Sequence, residues 1–459
     1  MYFAQYYLEC LSQASYLIGD ERTGQAVVVD PRRDVEEYLA DAAAHGLTIV
    51  GVLNTHFHAD FVSGHQELAA ATGAWIGYGR AAETEFDVRS FADGDTVTLG
   101  DVVLTIMETP GHTPESISVV VREHADDEVP YAVLTGDALF IGDVGRPDLL
   151  ASVGSTADEL GRMLYDSVQH KLMSLPDATR VFPAHGAGSA CGKNLSTELQ
   201  STIGDQRRLN YACQPMSEDE FLAVVTAGQP AAPEYFVYNA ILNRKEREVR
   251  ELGAKVPSLD EHQVASALAD GAVVIDARDP QEFAAGHLRG AINVPVDGRM
   301  AETVGMVVGP DTPVVLMAPE GEEQEAAIRL VRIGFDRTLG YIVDAEDYLM
   351  KHQDQVEQAS RLTPYRFDEL RTTCDLQVVD LRNAGELAEG RIPGTVHIPL
   401  AELRRRMDEL DRTKPIVLHC AGGWRSSVGA SLLRSAGFAD VSDVLGGFAG
   451  WQASQRISA

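Results

Sequence analysis

The chain has 459 residues, 45% of them hydrophobic and 23% charged, which is the balance of a folded globular protein with more than one core and not of a disordered one. Lys and Arg number 38 against 69 Asp and Glu, a formal net charge of −31; so acidic a surface repels nucleic-acid phosphates and anionic lipid heads and excludes both as partners. No apolar run approaches the ~18 residues of a membrane span, and the N-terminus lacks the basic and apolar stretches of a secretory signal, so a cytoplasmic protein is expected.

The first strands are expected around Tyr16-Leu17-Ile18 and Ala26-Val27-Val28-Val29. A further apolar run, Ile49-Val50-Gly51-Val52-Leu53, delivers Thr55-His56-Phe57-His58-Ala59-Asp60-Phe61. Later runs deliver Gly111-His112-Thr113-Pro114, then Thr135-Gly136-Asp137, then Pro183-Ala184-His185-Gly186. Side chains at strand ends face a shared cleft, and imidazoles with a carboxylate there bind a divalent transition metal. Between these runs, Arg146 has the planar fork that would hold a substrate carboxylate, or else a surface salt bridge. Cys191 lies in a glycine-containing loop two residues before Lys193. A cation so close would lower its pKa and make it a sulfur relay; the bland alternative is an inert packed thiol. The charged passage from Glu234 to Leu252 is expected to join this first domain to the rest.

From there the sequence repeats itself. Val273-Val274-Ile275-Asp276-Ala277-Arg278 is echoed by Gln377-Val378-Val379-Asp380-Leu381-Arg382, and Gly290-Ala291-Ile292-Asn293-Val294-Pro295 by Gly394-Thr395-Val396-His397-Ile398-Pro399, with one constant offset. Two domains of one fold follow. Strands alternating with helical stretches imply parallel, doubly wound α/β sheets. In the second copy Ile416-Val417-Leu418-His419 leads into Cys420-Ala421-Gly422-Gly423-Trp424-Arg425. A cysteine that opens a glycine-containing loop before a helix sits among backbone N–H groups, and these with Arg425 stabilise a thiolate or persulfide. The first copy has Ala318-Pro319-Glu320-Gly321-Glu322-Glu323 in that place, with no nucleophile and an acid where Arg425 stands. The five cysteines, Cys10, Cys191, Cys213, Cys374 and Cys420, are odd in number and scattered, as free thiols in a reducing compartment would be.

The order of the four His/Asp loops resembles the metallo-β-lactamase superfamily, which implies an αββα sandwich over residues 1–252. Dinuclear members carry a further His where this chain has Phe61, and a phenyl ring donates nothing, which argues against a two-metal hydrolase. His56, His112 and Asp137 remain, the two imidazoles and one carboxylate of mononuclear Fe(II) oxygenases. Spacing alone does not separate iron from zinc. Thr55 through Phe61, Gly111-His112-Thr113-Pro114, Thr135-Gly136-Asp137-Ala138-Leu139 and Gly145-Arg146-Pro147-Asp148 are similar to persulfide dioxygenases. That resemblance implies one Fe(II) per chain on His56, His112 and Asp137, with His58, Asp60 and His185 orienting ligands or adding to them. The Cys420 loop and the closing Gly446-Gly447-Phe448-Ala449-Gly450-Trp451 resemble rhodaneses, which implies an inactive copy at residues 255–357 and an active one at 360–459.

The expectation is a persulfide dioxygenase that oxidises a low-molecular-weight thiol persulfide with O₂ to sulfite. Cys420 and Arg425 would then carry sulfur to make thiosulfate, in a chain that forms homo-oligomers. Two rivals stand beside it: a metal-dependent thioester hydrolase of the glyoxalase II type, and a sulfur carrier whose metal domain is structural.

Overall fold

The computed structural model describes residues 1–149 and 155–458. They divide into two units, Met1–Gln229 with Phe236–Ala254, and Pro230–Tyr235 with Lys255–Ala459.

The first unit holds two six-stranded sheets. One runs in chain order from Tyr2–Leu8 through Gln13–Asp20, Gln25–Val29, Thr48–Leu53 and Trp75–Gly79 to Arg89–Phe91. In the other, Ser201–Thr202, Arg180–Pro183, Ala132–Gly136, Ile117–Arg122, Val102–Glu108 and Thr96–Leu99 lie side by side in that order. Successive side chains of a strand point to opposite faces. Ile18, Val27 and Val29 meet Leu104, Ile106, Val119 and Leu134 in one core between the sheets. Their neighbours Leu17, Ala26 and Val28 pack outward under Tyr38 and Ala42 of the helix Glu36–Ala44. On the far side Val120, Val133 and Val181 lie under Leu164 of the helix Ala157–Asp166, whose start is fixed by a capping box of Thr156 and Glu159. Strands buried on both faces read as unbroken apolar runs. The result is the αββα sandwich, and its ligand-bearing loops leave the ends of the central strands.

The second unit contains two five-stranded parallel sheets of identical order. The first copy runs Ser258–Leu259, Thr338–Ile342, Val314–Met317, Val273–Asp276, Ile292–Asn293; the second runs Ser360–Leu362, Val441–Val444, Ile416–His419, Gln377–Asp380, Val396–His397. The repeat extends to single residues. Asp276 pairs in register with Met317, and Asp380 with His419, so Ala318 and Cys420 occupy equivalent strand ends. The Asp-x-Arg echo is a structural clasp: Arg278 binds Asp276 and the Gly286 carbonyl, and Arg382 binds Asp380 and the Gly390 carbonyl. One addition was not foreseen, a two-stranded antiparallel ribbon of His287–Leu288 and Val356–Glu357 in the first copy.

The passage from Glu234 to Leu252 does more than connect. It forms the helix Tyr235–Leu242, and its later residues bond back into the first unit through Asn243 and Arg247.

Candidate metal centre and sulfur-transfer loop

His56 and His58 follow the strand Thr48–Leu53, His112 follows Val102–Glu108, Asp137 follows Ala132–Gly136, and His185 follows Arg180–Pro183. All five are at most 2% exposed. The donor atoms of His56, His112 and Asp137 lie within 4.8 Å of one another, as do those of His58, Asp60 and His185, and those of Asp137, His185 and Cys191. The Nε2 atoms of His56 and His112 stand 3.8 and 3.4 Å from Asp137 Oδ2. Those gaps are too long for good hydrogen bonds and suit donors that share an ion at about 2.1 Å.

Each imidazole has one nitrogen committed as a donor. His112 Nδ1 lies 3.0 Å from the Arg146 carbonyl and His185 Nδ1 lies 3.2 Å from the Ser12 carbonyl. A carbonyl only accepts, so both protons sit on Nδ1 and both Nε2 lone pairs are left. His58 Nε2 donates to Asp30 Oδ1 at 2.9 Å, which leaves its Nδ1 lone pair. Thr55 Oγ1 spends its proton on Asp30 Oδ2 at 2.8 Å, so it accepts from His56 Nδ1 at 3.0 Å. Such outer contacts fix ring orientation and donor nitrogen.

The lone-pair side is polar. His58 Nδ1 and His185 Nε2 are buried with no hydrogen bond. Among the described residues neither oxygen of Asp137 has a nitrogen or oxygen donor, and the weakly donating Cys191 thiol lies beside it. Buried acceptors of this kind cost free energy unless something binds them. The donor set therefore fits a divalent metal. Burial holds His56 well below the usual histidine range, lowers His185, and takes His112 down to about 4. Burial also raises Asp137 to about 6. Neutral imidazoles are the form that ligates. At His58 burial opposes protonation, but Asp30 outweighs it and raises the pKa.

Three supports of this loop escaped the sequence reading. Asp30, at φ +52°, adopts the left-handed region and accepts from the Thr55 N–H, the Thr55 hydroxyl and His58. Glu115 Oε1 accepts from the Phe57 N–H at 2.9 Å. Asn243 Nδ2 donates to the carbonyls of His58 and Phe61 at 2.8 and 2.9 Å. Phe61 packs its ring 4.3 Å from that of His58. It removes one nitrogen donor, yet His58, Asp60 and His185 remain together, so position 61 alone does not fix the ion count.

Two expectations change. Cys191 is 1% exposed, and burial with the carboxylates of Asp60 and Asp137 raises its pKa far above the usual thiol range. Lys193, whose proximity in sequence suggested the opposite, turns its ammonium to the carbonyls of Val224 and Ala227. Arg146 is buried and its fork is held by Asp148 at 2.7 and 2.6 Å. Its guanidinium is paired within its own loop, as the salt-bridge alternative expected. Its carbonyl orients His112. Gly145 is required there, because a Cβ would stand 2.0 Å from the Asp137 carbonyl oxygen.

In the second unit Cys420 lies between the strand Ile416–His419 and the helix Trp424–Ser435. The Gly423 N–H donates to its Sγ at 3.2 Å, and Ser426 Oγ lies 3.7 Å away. Gly423 holds φ +97° to make that turn. The Phe448 and Ala449 N–H groups bind the carbonyls of Cys420 and Ala421 at 2.7 and 3.0 Å, which fixes the loop from behind. Arg425 interacts with Cys420 but is also gripped by Glu386 at 2.7 and 2.6 Å. In the other copy Ala318 precedes Pro319 and the helix Glu323–Arg332, so that loop has no thiol, and the first turn of its helix is acidic.

The model of the metallo-β-lactamase superfamily matches residues 8–185, and that of the rhodanese-like domain matches residues 260–344 and 363–454. A crystal structure of a metallo-β-lactamase from Staphylococcus aureus subsp. aureus COL is 32% identical with a TM-score of 0.67, covering 74% of this chain and 98% of that one. The mitochondrial persulfide dioxygenase of Homo sapiens is 29% identical over 213 residues, 46% of this chain and 75% of that protein. A hydroxyacylglutathione hydrolase of Rhodospirillum rubrum is 36% identical over 222 residues, 48% of this chain and 77% of that protein.

Proposed function

Because the chain belongs to the metallo-β-lactamase superfamily and carries two rhodanese-like domains C-terminal to that domain, we propose that it is a persulfide dioxygenase coupled to a sulfurtransferase. The carrying observation is the triad of His56, His112 and Asp137 in one chain with the cradled thiol of Cys420. Kinship to a persulfide dioxygenase supports this reading.

One RSSH, one O₂ and one water give RSH, sulfite and two protons; the terminal sulfur loses four electrons and O₂ gains them. Ferrous iron, bound by the triad, would supply open positions for substrate and O₂ and would relay those electrons. His56 and His112 would hold it with neutral Nε2 atoms and Asp137 with a carboxylate. Burial of the site keeps bulk water from the chemistry. At Cys420 the thiolate attacks the terminal sulfur of a persulfide, releasing RS⁻ and forming Cys–S–SH. Sulfite then takes that sulfur, which gives thiosulfate, releases the persulfide proton and restores the thiolate. The N–H of Gly423 stabilises the anionic sulfur before and after transfer. Tethering both activities raises the effective concentration of sulfite at Cys420.

The hydrolase reading retains one favouring observation, the second donor group of His58, Asp60 and His185, alongside the relationship to a hydroxyacylglutathione hydrolase. Metal analysis with an oxygen electrode separates the two. One iron per chain and O₂ uptake matched to sulfite on addition of a persulfide upholds the dioxygenase. Two ions, thioester cleavage and no O₂ uptake would replace it.

A further inference from the structure

Among the described residues three other than glycine hold a left-handed backbone: Ser12 at φ +51°, Asp30 at +52° and Asp344 at +49°. An L side chain in that region costs free energy, and it persists only where the surroundings fix it. Two of the three bond to the donor loops. Asp30 holds Thr55 and His58, and Ser12 holds the loop of His185. The Ser12 carbonyl accepts from the Gly186 N–H at 3.0 Å and from His185 Nδ1 at 3.2 Å, and its hydroxyl donates to the Ala187 carbonyl at 2.8 Å. The Ala14 N–H donates to the Ala184 carbonyl at 2.7 Å, so Gln13 and His185 bridge between the bonds on either side. His185 Nε2 then stands 3.5 Å from Asp60 Oδ2 and 3.6 Å from Asp137 Oδ1.

Gln13 joins the two supports. It is fully buried, and its Nε2 donates to the Asp30 carbonyl at 2.9 Å. Its Oε1 is buried without a hydrogen bond. An acceptor left in that state is costly. Methionine would fill the space without that cost, but only the amide offers Asp30 a donor.

We propose that Ser12 and Gln13 are positioning residues of the metal centre. The left-handed turn aims the Ser12 carbonyl at His185 Nδ1, which keeps Nε2 as the donor atom, and Gln13 ties that turn to Asp30, the support of His58. The strand that starts at Gln13 belongs to one sheet, and His185 leaves the other. The contact therefore fixes the spacing of donors that different sheets carry. The inference needs a divalent ion at the centre but neither choice of reaction.

The test titrates the full chain, stripped of metal, with Co(II). Affinity is read against a chromogenic chelator, and ligand geometry from the visible absorption bands. Ser12→Gly and Ser12→Val both lack the hydroxyl, so their difference isolates the backbone. Glycine adopts the left-handed conformation freely, whereas a β-branched residue resists it. Ser12→Gly should bind close to wild type with its bands in place. Ser12→Val and Gln13→Met should bind about 10–100-fold more weakly, the range for displaced outer contacts, with shifted bands. A merely structural role would lower the amplitude by loss of folded protein and leave the bands where they are. Wild-type affinity in Ser12→Val, equal weakening in both Ser12 variants, or unmoved bands in Gln13→Met overturns the proposal. If Ser12→Val fails to fold, Gln13→Met decides by the same two readings. If wild type binds no Co(II), the metal centre itself is wrong and the proposal falls with it.

Discussion

Replacing Asp380 by Asn removes one charge from a buried ion pair and changes little else in shape. Arg382 is 1% exposed, and its Nε and Nη2 reach the two Asp380 oxygens at 2.7–3.1 Å. Nη1 donates to the Glu386 carbonyl at 3.3 Å, Nη2 also donates to the Gly390 carbonyl at 2.8 Å, and the guanidinium lies 4.1 Å from the Phe448 ring centre. Those carbonyls and the ring are uncharged, and the Glu386 carboxylate, which also feels Arg382, is bonded to Arg425. Breaking one side of a buried pair costs about 3–5 kcal/mol, and Asn keeps one acceptor, so a value of about 3 is expected. At roughly 2–4 °C per kcal/mol for a unit of this size, the C-terminal transition should fall by roughly 6–12 °C in differential scanning calorimetry of the full chain. Asp276→Asn should behave alike, since Arg278 holds Asp276 at 2.6 and 2.9 Å. Arg382 also anchors the Glu386 carbonyl, and Glu386 grips Arg425, so sulfur transfer should decline below the melting range in the Asp380 variant. A shift of less than about 2 °C would refute the argument that this clasp carries the repeat.

Cys420→Ser should leave sulfite production intact and abolish thiosulfate, read by ion chromatography of both products. Stripping the metal with a chelator should stop O₂ uptake and spare sulfur transfer to cyanide at Cys420. Gly145→Ala should lower metal affinity by about 10–100-fold, the range for displaced outer contacts, because the new Cβ would crowd His112 Nδ1 at 3.0 Å and the Asp137 carbonyl; competition with a chromogenic chelator measures it. Burial opposes ionisation of Asp380, but Arg382 prevails and lowers its pKa. A depressed carboxyl stabilises the fold above the unfolded value of about 3.9 and loses that contribution as pH falls below it. Acid titration of the far-ultraviolet circular dichroism should therefore show a steeper loss below about pH 4 in wild type than in Asp380→Asn.

The donors were legible because each sits in a short local pattern at a strand end, and because strands buried on both faces spell unbroken apolar runs. Their supports were not. Asn243 serves His58 across 185 residues, and Asp30 serves it across 28, so no local pattern marks either. Cys191 misled for the converse reason: Lys193 is near in sequence, but its ammonium goes to the chain around residues 224–227. The Asp-x-Arg repeat was visible, yet only the distances reveal a clasp. The loss of the thiol at Ala318 was plain from the aligned strands, and the register confirms the equivalence.

The bonds of Asn243 and Arg247 have a practical bearing on where the first unit ends. Arg247 ties to Glu67 beside the donor loop, and Asn243 ties down the loop itself. A fragment cut where the sandwich strands finish, near Thr202, would keep every donor and forfeit the brace on the loop that carries His58 and Asp60. An excised first unit should therefore extend past residue 247 to keep those bonds.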